Sequence, residues 1–82
     1  MADIKLLRWR CRRGMKELDK LLEGYLLNHF ENASPAEQDA FITLLTLPDP
    51  LIYDYLFQGL IPEENSLQNI VNQITDLKKT VQ

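Results

Sequence analysis

Residues 15–30 read Met15-Lys16-Glu17-Leu18-Asp19-Lys20-Leu21-Leu22-Glu23-Gly24-Tyr25-Leu26-Leu27-Asn28-His29-Phe30. Met15, Leu18, Leu21, Leu22, Tyr25, Leu26 and Phe30 are spaced by three or four residues and fall on one face of a helix. The spacing predicts a helix over about 15–31. No segment of the chain alternates apolar and polar residues with period two over a useful length, so a sheet is excluded and the fold class is all-α.

The punctuation around this stretch sets the number of helices. Upstream, Asp3 caps a first helix that turns Ile4, Leu7 and Cys11 to one side. Gly14 ends it, since glycine inside a helix costs roughly 1 kcal/mol relative to alanine. Downstream, Ser34-Pro35-Ala36-Glu37 combines a cap, a proline at the first helical position and the acid of a capping box. That third helix directs Phe41, Leu44 and Leu45 inward. Asp49-Pro50 reads as a second cap-plus-proline start, for a fourth helix with Ile52, Tyr53, Leu56 and Phe57 on its apolar side. Gly59 closes it and Pro62 forbids continuation. Ser66 reads as the cap of a fifth helix carrying Leu67, Ile70, Val71, Ile74 and Leu77. The expectation is a small single-domain bundle of about five short helices over residues 1–82, with 1–2 and the last residues from Lys78 or Lys79 to Gln82 frayed.

Length and composition narrow the function. At 82 residues the chain buries only about 60% of the surface its unfolded form exposes, which leaves little core volume for a multi-residue active site. The longest apolar runs are three residues, such as Tyr25-Leu26-Leu27, against roughly 20 for a membrane span, so no direct membrane insertion is expected. The N-terminus lacks the apolar core of a signal peptide. One cysteine, Cys11, and one histidine, His29, exclude an intrachain disulfide and a cysteine zinc site. These features point to a reduced, soluble, intracellular protein of the cytoplasm, with a processed mitochondrial matrix form as the lesser alternative.

Neither Cys11 nor any serine sits in a nucleophile motif. Neighbouring arginines could lower the Cys11 pKa, but a lone cysteine on an amphipathic helix reads first as a small core residue. His29, near a helix end, reads as a surface or capping residue. The carboxylates lack metal-ligand spacing. Gly14, Gly24 and Gly59 form no phosphate loop. The chain is not expected to be an enzyme.

Charge is divided unevenly. Residues 1–16 hold Lys5, Arg8, Arg10, Arg12, Arg13 and Lys16 against Asp3, a balance of +5, whereas residues 17–82 hold three bases and eleven acids, a balance of −8. A positive N-terminal face on an acidic body suggests docking to something negative. Within that face, Arg12-Arg13-Gly14-Met15-Lys16-Glu17 breaks the local helical rule. Gly14 permits a kink and also a close approach by another backbone. Arg13 offers a planar donor fork. Glu17, four positions on, can hold that fork or accept from a partner.

Trp9-Arg10-Cys11-Arg12-Arg13-Gly14-Met15-Lys16-Glu17-Leu18-Asp19 resembles the signature of the SdhE family, the bacterial relatives of succinate dehydrogenase assembly factor 2. Arg13, Gly14 and Glu17 match its RGxxE motif. The likeness continues through Leu44-Leu45 and Asp49-Pro50 and covers about residues 5–77. It departs where bacterial members often have a second acid after the Asp–Pro pair and later a tryptophan, since this chain has Leu51 and Tyr55. Some members also carry an early arginine where Lys5 is the nearest base.

The resemblance implies a five-helix assembly chaperone. Such proteins promote covalent attachment of FAD, through its 8α-methyl group, to a histidine of the flavoprotein subunit of succinate dehydrogenase, and in some cases of fumarate reductase. Both reacting groups belong to that partner, so no cofactor is held stably by this chain. The partner-binding residues it implies are Arg13, Gly14, Glu17, Arg12, Trp9 and Arg8, with the free protein monomeric. Two other readings stand beside it. Family members have also been described as the antitoxin of a pair with a small membrane protein. A nucleic-acid module using Arg8, Arg10, Arg12 and Arg13 ranks last, because no helix presents base-reading amides; no nucleic-acid partner is expected.

Overall fold

The computed structural model describes residues 3–80. Five helices follow in order: α1 (Ile4–Arg10), α2 (Lys16–Asn28), α3 (Pro35–Leu44), α4 (Asp49–Phe57) and α5 (Asn65–Thr80), with no strand among the described residues. The all-α expectation holds, and so does the helix count.

The apolar stripe of α2 does what its spacing demands. Leu18, Leu22, Tyr25 and Leu26 are buried, and they meet Phe41 and Leu44 of α3, Ile52 and Leu56 of α4, and Ile70 and Ile74 of α5 in one core. Tyr25 and Phe30 close on Phe41 with ring centroids 4.8 and 5.7 Å away. Offset aromatic contacts of this kind add to simple burial. Helix α5 packs on α3 most extensively and also on α2 and α4, while α1 lies on α2.

The capping box at Ser34 is formed in full. Ser34 Oγ accepts from the Glu37 N–H at 3.2 Å, and Glu37 Oε1 accepts from the Ser34 N–H at 2.9 Å. The Asp3 cap is also present, accepting from the Lys5 and Leu6 N–H groups.

Four boundaries differ from the sequence reading. Helix α2 stops at Asn28 rather than near 31, because His29 leaves helical geometry and the Phe30 N–H returns to the Tyr25 carbonyl at 3.1 Å. Phe30 remains 3% exposed, so the apolar pattern marked a buried residue beyond the helix end. Helix α4 is capped by Pro48, not Asp49, with Asp49 already inside the first turn. The Asp49 carboxylate is engaged by an arginine instead of by its own helix N-terminus. Helix α5 opens at Asn65, so Ser66 lies within it, and the Glu64 carbonyl accepts from the Gln68 N–H at 3.0 Å.

The last difference is at the C-terminus, where α5 is helical through Thr80, past the Leu77 at which the sequence reading ends its apolar register. Lys78 Nζ donates to the Leu56 carbonyl at 3.0 Å and sits 4.7 Å above the Phe57 ring. A cation at the last turn of α4 satisfies an orphan carbonyl and complements the helix dipole. The expected fraying of 1–2 and 81–82 lies outside the described residues.

Candidate functional site: the turn between α1 and α2

Helix α1 ends at Arg10, and Cys11 caps it with its N–H shared among preceding carbonyls. The chain then reverses through Gly14, whose φ is +86°. An L side chain is strained there, so glycine is the residue this turn requires. The space around Gly14 is open, since an added Cβ would meet nothing within 4 Å. The exposed backbone at Gly14 is therefore free to be approached from outside.

Asp19 fastens the turn from the other side. Its Oδ1 accepts from the Arg13 N–H at 2.5 Å. A carboxylate in the first turn of α2 also sits favourably against the positive end of that helix.

The Arg13 side chain runs inward instead of toward solvent. One terminal nitrogen donates to Asp49 Oδ1 at 3.1 Å and to the Leu47 carbonyl at 3.3 Å. The other donates to the Leu45 carbonyl. The side chain is 15% exposed, and its Nε is buried with no hydrogen-bond partner. Arg13 thereby joins the α1–α2 turn to the α3–α4 connection. Of the two roles open to Glu17, the pair with Arg13 is not formed, because the guanidinium is already occupied by Asp49 and two carbonyls that its planar fork fits.

The remaining members of the motif face outward. Glu17 is exposed, and its carboxylate makes no hydrogen bond or ion pair among the described residues. Trp9 is 72% exposed. Arg12 is exposed, and it lines a shallow hollow of about 280 Å³ with Trp9, Arg10, Arg13 and Leu45. Arg8 turns away to pair with Glu23 of α2 at 2.9 Å. The four-arginine surface that a nucleic-acid module would use is thus reduced. Arg8 and Arg13 have internal anionic partners, leaving Arg10 and Arg12 on that ridge.

Cys11 is fully buried. Burial foremost, with Glu23 and Asp19 adding to it and Arg13 only partly opposing them, pushes its thiol up to about 12. The arginine effect expected from sequence is present but smaller than desolvation. His29 ends α2 and stacks on Tyr25 at 5.9 Å, the capping position expected for it.

Sequence reasoning missed three contributors. Asp49 was disguised as a helix cap by the proline after it. Asp19 lay inside the quoted signature without a role. The carbonyls of Leu45 and Leu47 carry no signal in residue identity at all. Among the described residues no group of three metal-ligating side chains gathers, and no helix is long and apolar enough to cross a membrane.

Comparison with known proteins places this site in context. The family model described as flavinator of succinate dehydrogenase matches residues 5–78. FAD assembly factor SdhE of Coxiella burnetii is 42% identical over 73 residues, covering 89% of each chain. The protein of the same name from Mannheimia succiniciproducens is 34% identical over 83 residues, covering 99% of this chain and 96% of its own. That of Haemophilus influenzae is 34% identical over 71 residues, covering 87% and 84%. A model match across nearly the whole chain, together with these relatives and the Arg13-Gly14-Glu17 turn, shows that the chain belongs to the succinate dehydrogenase flavinator family.

Proposed function

We propose that this protein is an FAD assembly factor that binds the flavoprotein subunit of succinate dehydrogenase and promotes covalent attachment of FAD to it. The observation that carries the reading is the exposed Gly14–Glu17 turn, fastened by the hydrogen bonds of Arg13 and Asp19, in which Glu17 has no partner among the described residues. A rigid exposed turn offers a partner both backbone and a free acceptor, with little entropy left to lose on docking.

In this reading Gly14, Glu17, Trp9 and Arg12 touch the flavoprotein. Arg13 is a positioning residue that shapes the turn, and Arg8 contributes from the edge of the face. The chain performs no bond chemistry. FAD is assigned to the client, as the family resemblance implies. The assembly factor acts by holding the client where its own reacting groups are oriented and shielded from water. Fumarate reductase is a second client in this reading, as the family resemblance implies. The protein works as a free monomer, and in the bacterial cytoplasm, which suits the bacterial relatives named above.

The test uses cells lacking this protein. Their proteins are resolved on a denaturing gel, and in-gel flavin fluorescence of the flavoprotein subunit is read with wild type or Glu17→Ala added back. Fluorescence restored by wild type and reduced with Glu17→Ala supports the proposal. Fluorescence that never depended on the protein overturns it and favours the antitoxin reading.

A further inference from the structure

The other end of α4 carries a second exposed apolar feature, unused by the turn just described. Leu60 is 46% exposed and Ile61 is 73% exposed, in the connection between α4 and α5. Beside them Tyr55, Glu63, Glu64 and Leu67 border a depression of about 330 Å³.

The exposure of Ile61 is built in. Gly59 has φ +76°, and the Leu60 N–H returns to the Asp54 carbonyl at 3.1 Å. On the far side Gln68 Nε2 donates to the Pro62 carbonyl at 2.7 Å, and Pro62 is buried. The loop is therefore tied on both flanks while its two aliphatic side chains stand in water. An ordered apolar projection binds with less entropic cost than a mobile one.

Charge selects the occupant. Glu63 and Glu64 are exposed, and neither carboxylate has an ion-pair partner among the described residues. This corner is anionic, whereas the α1 face is cationic. The nine residues of α4 separate the Asp49 end from this corner by about 13 Å at the helical rise. A standard interface of roughly 800 Å² per partner is wide enough to include both ends of such a helix.

We infer that the Leu60–Ile61 corner is a second docking surface for the same flavoprotein, taking a segment with a bulky apolar side chain flanked by lysine or arginine. The inference rests on the proposed client and adds to it a contact of opposite sign. Two contacts of opposite charge specify one orientation of the client, which a single basic face does not.

The test titrates purified flavoprotein subunit of succinate dehydrogenase, lacking covalent flavin, against wild type, Glu17→Ala, Ile61→Asp and the double variant Glu63→Lys/Glu64→Lys. Sedimentation and thermal melts are run on each variant alone. Loss of affinity of about tenfold or more with Ile61→Asp, a loss of the size seen at interface anchors, supports the inference. So does a weakening by the charge reversal that fades as salt is raised. Wild-type affinity in both corner variants, with Glu17→Ala weakened, overturns the second surface and leaves the proposed function standing. No binding by wild type removes the proposed function and this inference together. Self-association of wild type that Ile61→Asp abolishes assigns the corner to a second copy of the chain and also overturns it.

Discussion

Arg13 and Asp49, 36 residues apart in sequence, meet at 3.1 Å, and this ion pair joins the turn after α1 to the start of α4. The same guanidinium also holds the carbonyls of Leu45 and Leu47. Family membership directs attention to Arg13 as a contact residue, yet its side chain is largely covered. Removing it leaves a carboxylate and two carbonyls without their donor. Arg13→Ala is expected to lower stability by about 2 kcal/mol, a value reduced for the partial exposure of Asp49. Lysine supplies one point charge in place of a fork, so Arg13→Lys recovers less than half of that loss. Urea unfolding at constant m-value reads both. In a double-mutant cycle Asp49→Asn should show coupling to Arg13, and independent effects would mean the pair contributes nothing.

Gly14 separates strain from contact. Its surroundings are open, but its φ of +86° penalises any L side chain with a Cβ. Gly14→Ala is therefore expected to cost about 1–2 kcal/mol. Gly14→Asn should cost less, because asparagine tolerates the left-handed region. A Gly14→Arg variant combines this strain with a steric block, so its loss of function does not by itself identify a docking site. Measuring stability of the Ala and Asn variants beside their client affinity resolves the two. Equal stability of Ala and Asn variants would remove the strain argument.

Much of the fold was legible because it is written in local signals. The three-and-four spacing from Leu18 to Phe30, the Ser34–Glu37 box and Gly59 each act within one or two turns of helix. The site was legible only in part. Residue types marked Gly14 as a kink open to close approach and left Glu17 between holding Arg13 and accepting from a partner. They did not reveal that Arg13 faces inward, since that depends on Asp49 and on backbone carbonyls brought near by the α3–α4 connection. Asp49-Pro50 does mark the start of α4, with the cap one residue earlier, and that local role hid the acid's long-range one. The contact of Lys78 was hidden for the same reason, since the carbonyl it meets lies 22 residues earlier.

Gly24 lies inside α2, and an added Cβ there would meet nothing within 4 Å. Its φ is not in the left-handed region. Alanine would then reduce the freedom of the unfolded chain without disturbing the folded one. Gly24→Ala is expected to raise stability by about 0.4–1 kcal/mol. Thermal unfolding should show a higher midpoint, and a lower one would mean that the added Cβ disturbs the packing of the folded chain itself.

On the acid side, Glu37 is held below the usual carboxylate range, first by the Ser34 N–H, then by the side chains of Gln73 and Ser34. A depressed folded pKa means the folded state favours the ionised form. The contribution is complete above the ordinary carboxylate value and is lost as pH falls through the depressed one. Glu37→Gln should therefore flatten the acid limb of the stability profile below about pH 4.3. Its stability relative to wild type should converge as pH falls. A constant difference at every pH would show that ionisation of Glu37 is not what links α3 to α5.

The alkaline side is governed by groups that resist ionising. Burial pushes the Cys11 thiol up to about 12, and burial likewise raises Tyr25, whose hydroxyl has no hydrogen-bond partner. Raised folded pKa values here mean that the folded state holds the neutral, protonated forms. Their contribution is fully present below the unfolded thiol value of about 8.5 and is lost as pH rises toward the folded one. Stability should thus decline from about pH 8.5 upward, with Tyr25 adding to the slope above about pH 10. Cys11→Ala should be shallower between those limits, although it creates a small cavity and lowers stability at neutral pH. The same burial makes the thiol inert. At pH 8 a disulfide reagent should label it no faster than the chain opens, and rapidly once urea has unfolded the protein. Prompt labelling of the native chain would place Cys11 at the surface and remove the buried α1–α2 contact from this account.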